Sequence, residues 1–176
     1  MEDLLNKESV KRVSKKLKDF DKNLKVIVLD TSARTAEDAA NSLNTEIGSI
    51  IKSLFLRTKN SFLLCLVAGD KRCSLNKIKK ILGEKDVSMG NAEQVKEVTG
   101  FTIGGVSPVA HLNPLNIYID QSLSRFKNIY GAAGHPNCVF KIDFENLKKI
   151  TSGEVMDISE WEIQSPQIIC FYQYYL

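Results

Sequence analysis

Ile50-Ile51-Lys52-Ser53-Leu54-Phe55-Leu56, Thr58-Lys59-Asn60-Ser61 and Phe62-Leu63-Leu64-Cys65-Leu66-Val67-Ala68 form the stretch from which the rest of the chain can be placed. Two short apolar runs separated by a polar connection read as the strands of an antiparallel hairpin. One residue is out of character. Lys52 puts an ammonium inside the first run and, by strand alternation, on the face of Ile50 and Leu54. If that face is core, the charge needs a partner or an anionic ligand, because an unpaired buried charge is strongly disfavoured. The other reading is an edge-strand lysine whose head reaches water. The sequence leaves both open.

Upstream of the hairpin, residues 9–20 show helical spacing, with Val10, Val13, Leu17 and Phe20 on one stripe and Ser9 as the expected cap. Residues 25–29 read as a strand. Thr35 and Asp38 have the spacing of a capping box that opens a small-residue helix over 36–43, and 46–49 makes a turn. Downstream, Gly69-Asp70 breaks the second strand. A basic helix follows over 74–82, with Leu75, Ile78, Ile81 and Leu82 inward, then a helix over 91–98 ended by Gly100. Residues 117–120 and 138–142 read as strands, and Asp143 caps a last helix running to 149. Helices and strands intermix without a regular βαβ rhythm, which predicts an α+β domain: a central mixed, mostly antiparallel sheet flanked by helices.

Composition narrows the class. The chain has 176 residues, 43% hydrophobic and 26% charged, which suits one soluble domain with one adequate core. Cys65, Cys73, Cys138 and Cys170 are scattered without metal-ligand spacing, so no metal site is expected, and Cys65 and Cys138 read as core residues. The chain is charged from Glu2 onward and has no run of roughly 20 apolar residues. A cytoplasmic protein with no membrane or DNA partner is expected. The net charge is +3, with basic residues gathered at Lys7, Lys11, Arg12, Lys15, Lys16 and Lys18 and again at Lys71, Arg72, Lys77, Lys79 and Lys80. These clusters permit contact with a phosphate backbone but also suit solvated helix faces.

Two loops join Lys52 as candidates for chemistry. In Gly104-Gly105-Val106-Ser107-Pro108, adjacent glycines let the backbone approach a ligand and aim N–H groups at an oxygen, as an oxyanion hole requires. No Gly-Lys-Ser/Thr follows, which excludes a Walker loop, and no helix follows, which excludes a dinucleotide fingerprint. Gly131-Ala132-Ala133-Gly134-His135-Pro136 reads as a second small-residue loop that presents His135 for hydrogen bonding or proton transfer. His111 is a weaker candidate. Spacing supports no Ser-His-Asp, Cys-His or paired-carboxylate set, so no covalent nucleophile is expected.

In this order the motifs resemble the YbaK/prolyl-tRNA deacylase family of aminoacyl-tRNA editing domains. The likeness runs through 36–43, 47–55, Val67-Ala68-Gly69-Asp70, 74–82, Thr99-Gly100, 104–108, Ile119-Asp120, 133–136 and 143–151. It implies a domain over 1–158 and leaves 159–176 as a tail of undefined role that either adds a strand or mediates self-association. It also implies a trans-editing aminoacyl-tRNA hydrolase that needs no cofactor and binds the 3′ end of aminoacyl-tRNA, with a prolyl-tRNA synthetase as an associated partner. The family's strand lysine falls on Lys52, its loop on Gly104, Gly105, Val106, Ser107 and Pro108, and its histidine on His135. Gly134 and Cys138 are expected to line a small amino-acid pocket. Where the cysteine-removing branch has a Gly-Gly-Lys-Arg-Gly-like loop this chain has Gly134-His135-Pro136, which points to Ala, Ser or another small residue on tRNA for proline. A non-catalytic module that holds or delivers aminoacyl-tRNA, and an esterase acting on small aminoacyl esters or nucleotides, are the competing readings.

Overall fold

The structure is a computed structural model that describes residues 2–30, 33 and 35–161. In chain order its elements are α1 (Glu2–Leu5), α2 (Glu8–Phe20), β1 (Val26–Val28), α3 (Ala36–Leu43), β2 (Ile51–Arg57), β3 (Phe62–Ala68), β4 (Lys71–Cys73) and α4 (Leu75–Leu82). They continue with β5 (Ser88–Met89), α5 (Ala92–Thr99), β6 (Asn116–Asp120), β7 (Ile129–His135), β8 (Cys138–Ile142), α6 (Phe144–Thr151), β9 (Glu154–Met156) and β10 (Ser159–Trp161).

The β2–β3 hairpin is the centre of the fold. Its strands pair antiparallel from Ile51↔Ala68 to Arg57↔Phe62. The connection closes on itself, since Thr58 N–H donates to Ser61 O at 2.8 Å and Ser61 N–H donates to Thr58 Oγ1 at 3.1 Å. β6 adds to β3 in parallel and β9 to β6 in parallel, while β5 caps the far end of β2, giving the order β5-β2-β3-β6-β9. An antiparallel sheet β1-β8-β7 meets it where Ile50 bridges Tyr130 in parallel. The fold is α+β with a mixed central sheet.

Both faces of the hairpin are buried. Ile51, Phe55, Leu64 and Leu66 pack with Val10, Val13 and Leu17 of α2, Phe101 and Leu147. Leu54, Leu56, Leu63, Cys65 and Val67 pack with Ile78 of α4 and Ile158. Each fully buried Leu, Ile or Phe contributes about 1.5–3 kcal/mol, so the sheet is held from two sides. That double burial explains the continuous apolar runs.

Several local expectations hold: the capping box of Thr35 and Asp38, helix α3 with its sequence-read bounds, the Asp143 cap and the left-handed Gly100 after α5. Others do not. The N-cap of α2 is Lys7, without a side-chain bond, and Ser9 instead donates to Gly134 O at 2.8 Å. Ile81 is 42% exposed, because α4 lays only part of its expected stripe on the sheet. Residues 131–136 are mostly strand, not loop. Their small side chains reflect crowding: a Cβ on Gly131 would lie 3.1 Å from both the Phe140 ring and Pro108. Short β4, β9 and β10 were invisible to periodicity. Ser159, Glu160 and Trp161, read as the start of a tail, pair antiparallel with Cys73, Arg72 and Lys71. The rest of that tail, and Cys170, lie outside the described residues.

Candidate functional site

Lys52 is not an edge-strand residue. It pairs with Val67 on one side of β2, and the other side of the strand turns toward β7 through the Ile50–Tyr130 bridge. The residue is only 8% exposed. A lysine this deep in a strand otherwise made of Ile, Leu and Phe is costly unless its head meets polar or anionic groups.

The two glycine motifs meet. A Cβ on Gly105 would lie 2.9 Å from His135 Cα, 3.0 Å from His135 N and 3.1 Å from the Gly134 carbonyl carbon, so the two backbones touch with no room for a side chain. Gly104 sits at φ 90°, a conformation natural to glycine, with Pro136 Cγ at 3.4 Å from its Cβ position. Pro108 packs on Gly131. The 104–108 segment therefore lies along β7, whose first half lies beside β2. Gly104, Gly105 and His135 belong to one neighbourhood built from two chain segments.

The amides do not all serve the same purpose. Gly105 N–H donates to Thr102 O at 2.9 Å and closes the turn, so it is not a free oxyanion donor. The N–H groups of Gly104, Val106 and Ser107 have no acceptor among the described residues. The side chains expected to line a pocket are placed otherwise. Val106 and Cys138 belong to the core with no exposed surface, and Ser107 Oγ, also buried, accepts from Val109 N–H at 3.3 Å. Gly134, at φ 88°, makes room for helix α2 and not for a substrate. A Cβ there would lie 2.6 Å from Ser9 O.

His135 ends β7, next to a bulge where the ladder skips Ala133 and Gly134. Its ring is half-buried, and Nδ1 accepts from Asn137 N–H at 3.1 Å. With Nδ1 as acceptor, the neutral ring carries its proton on Nε2, which is then a donor. That geometry suits orienting a water or an oxyanion. It does not suit accepting from a substrate ammonium. Burial lowers the His135 pKa, with the Lys7 ammonium adding to the effect, so the neutral ring is favoured.

Sequence reading missed the brace. Arg12 of α2 donates from Nε to Ala110 O at 2.7 Å and from Nη2 to Thr99 O at 3.1 Å, with its guanidinium 4.7 Å from the Phe101 ring centroid. His111 meets the same ring edge-on at 6.0 Å and donates from Nε2 to Ser107 O at 2.7 Å. Arg12 thus grips both ends of the segment that contains Gly104 to Pro108, and His111 holds its middle. The signal lay in the sequence as a basic helix, but nothing distinguished Arg12 from its solvated neighbours.

Two grooves open on the surface. One of about 470 Å³ is lined by Pro108, His111 and Leu115 together with Lys16 and Ile150, on the outer side of the braced loop. The other, about 340 Å³, lies between Lys77, Asp120 and Trp161. Neither is lined by Lys52 or His135. Among the described residues no group of three or more His, Cys, Asp or Glu could hold a metal ion, and no helix is long and apolar enough to cross a membrane.

Known proteins share this fold. A solved structure described as "Crystal structure of a putative trans-editing enzyme for prolyl tRNA synthetase" superposes with a TM-score of 0.83 at 35% identity, over 88% of this chain and 98% of that one. A proline–tRNA ligase of Thermosipho africanus is 34% identical over 101 residues, which are 57% of this chain but 18% of the ligase. The "Putative Cys-tRNA(Pro)/Cys-tRNA(Cys) deacylase EbsC" of Enterococcus faecalis is 26% identical over 73% of this chain and 79% of its own length. Residues 30–150, which hold Lys52, both glycine motifs and His135, match the family defined by the aminoacyl-tRNA editing domain. The chain belongs to that family.

Proposed function

We propose that the protein is a trans-editing deacylase that hydrolyses the ester of mischarged tRNA, with tRNA for proline carrying Ala, Ser or another small residue as substrate. The observation that carries this reading is the backbone contact of Gly105 with Gly134 and His135. It sets the Gly104–Pro108 loop against the residues around His135, as a single site made from both motifs requires.

Water attacks the aminoacyl carbonyl carbon, and the carbonyl oxygen becomes an oxyanion held by main-chain N–H groups of the Gly104–Pro108 loop. The Nε2–H of His135 orients the attacking water. Collapse of the tetrahedral species breaks the bond to the ribose oxygen, which leaves with the proton given up by the attacking water, relayed through the neighbouring ribose hydroxyl. Lys52 binds the terminal phosphate as a point charge. Removing such an electrostatic contact costs about 2.7–4 kcal/mol, or roughly 10²–10³ in rate. Size exclusion sets specificity: one methylene distinguishes substrates by about 1–3 kcal/mol, too little for a synthetase that must reject smaller amino acids.

The test is deacylation of tRNA for proline charged separately with Ala, Ser, Thr, Cys or Pro. The small-residue esters are cleaved, the prolyl ester survives, and Lys52→Ala loses at least about a hundredfold. A Lys52→Ala protein that works at the wild-type rate refutes the mechanism. Cleavage of the cysteinyl ester alone refutes the substrate assignment.

A further inference from the structure

We propose that the lysine row of α2, Lys7, Lys11, Lys15 and Lys18, is the surface on which the phosphates of the tRNA acceptor stem dock, and that the equally basic α4 is not. The inference rests on the reading of the protein as a tRNA deacylase and adds where the tRNA body lies.

Three observations converge on α2. The first is position. Ser9 Oγ donates to Gly134 O at 2.8 Å, so the start of the helix lies directly over the residue before His135, and the Lys7 ammonium is near enough to act on that ring. The second is periodicity. At 100° per residue the four lysines fall within about 80° of one another, and at 1.5 Å per residue Lys7 and Lys18 stand about 16 Å apart. That length matches on the order of five nucleotides along one strand. The buried stripe of Val10, Val13 and Leu17 faces elsewhere, and all four lysines are exposed.

The third is availability. Lys15 pairs with Asp19 at 2.7 Å and Lys11 with Glu8 at 3.8 Å, but these are solvent-exposed pairs within one helix. Such pairs are worth little, so exchanging their carboxylates for phosphates costs little. On α4 the situation differs. Lys77 is tied to Asp157 at 2.6 Å and to Ser159 O at 2.7 Å, and the helix packs on the sheet face bearing Leu54 and Val67, away from the α2 side. A phosphate backbone that ends at His135 continues along α2.

The experiment compares Lys11→Gln/Lys15→Gln/Lys18→Gln with Lys79→Gln/Lys80→Gln, both retaining Lys7. Binding of uncharged tRNA is followed by fluorescence anisotropy between low and moderate salt, and deacylation by steady-state kinetics. The α2 triple variant is expected to bind at least tenfold more weakly. Its slope of log affinity against log salt falls by about 2–3 units, at roughly 0.7–0.9 per lost phosphate contact. Its KM rises while kcat stays within about twofold, and the α4 variant matches wild type. An unchanged salt slope in the triple variant, or an equal loss in the α4 variant, overturns the proposal. If the wild type binds tRNA through the α2 row yet cleaves no mischarged tRNA, the docking surface stands and the deacylase reading falls.

Discussion

Arg12 offers the sharpest perturbation, because one side chain joins α2 to both ends of the loop that bears the free amides. Arg12→Met keeps the aliphatic stem and removes the guanidinium. Two charge-assisted bonds are lost, to Ala110 O at 2.7 Å and Thr99 O at 3.1 Å, together with the contact to the Phe101 ring at 4.7 Å. Bonds to charged groups contribute about 1.5–3 kcal/mol each, and the ring contact about 0.5–2 kcal/mol. Two effects reduce the sum. Thr99 O keeps a second donor, Leu112 N–H at 3.3 Å, and burial of the guanidinium is itself unfavourable, as its lowered pKa shows. The net loss is about 2–4 kcal/mol. At about 2–4 °C per kcal/mol for a domain of this size, the melting temperature falls by roughly 4–16 °C. Because Ala110 lies close to the oxyanion loop, kcat falls by roughly 10–100-fold, the scale expected for an ångström of misplacement. KM moves little. Arg12→Lys rescues poorly, since an ammonium cannot span two carbonyls with a planar fork. Thermal denaturation and single-turnover deacylation measure both effects. A variant that melts within about 2 °C of wild type and keeps its rate refutes the brace.

Two further predictions concern the same loop. Gly105→Ala drives a methyl against the backbone of His135 and Gly134 at 2.9–3.1 Å and should cost about 1–3 kcal/mol with at least a tenfold loss of deacylation. Gly83→Ala, at φ 66° with open space around it, costs about 1–2 kcal/mol and leaves activity intact. Equal activity in the two variants, measured at a temperature where both are folded, contradicts the close approach of the two motifs. His111 is held below its ordinary value of 6.5, first by burial and then by Arg12, against the opposing pull of its bond to Ser107 O. As pH falls through 6.5 the unfolded chain takes up a proton that the folded ring still refuses, so stability is complete above 6.5 and declines below it. His111→Gln keeps a donor for Ser107 O and should flatten that decline in urea melts across the range, whereas a wild-type curve no steeper than the variant's rules out this role.

What a reader of the sequence alone can recover about this protein is local. The hairpin of 50–68, the capping box at Thr35 and the stop at Gly100 rest on hydrogen bonds and packing within a few residues. Spacing and residue type carry that information. The family motifs are legible for a related reason, as short strings that keep their order along the chain. The depth of Lys52 is different, since only the packing of both sheet faces shows that the residue is buried. The small residues of β7 resemble a loop because their size answers to Ser9, Pro108 and Phe140, none of them a sequence neighbour. Ser9 and Gly134 are 125 residues apart, and Arg12 and Ala110 are 98 apart. A hydrogen bond across such a distance leaves no periodicity or composition in either partner. Which helix braces the loop, which amides stay free and which basic face lies next to His135 were therefore decided by tertiary packing.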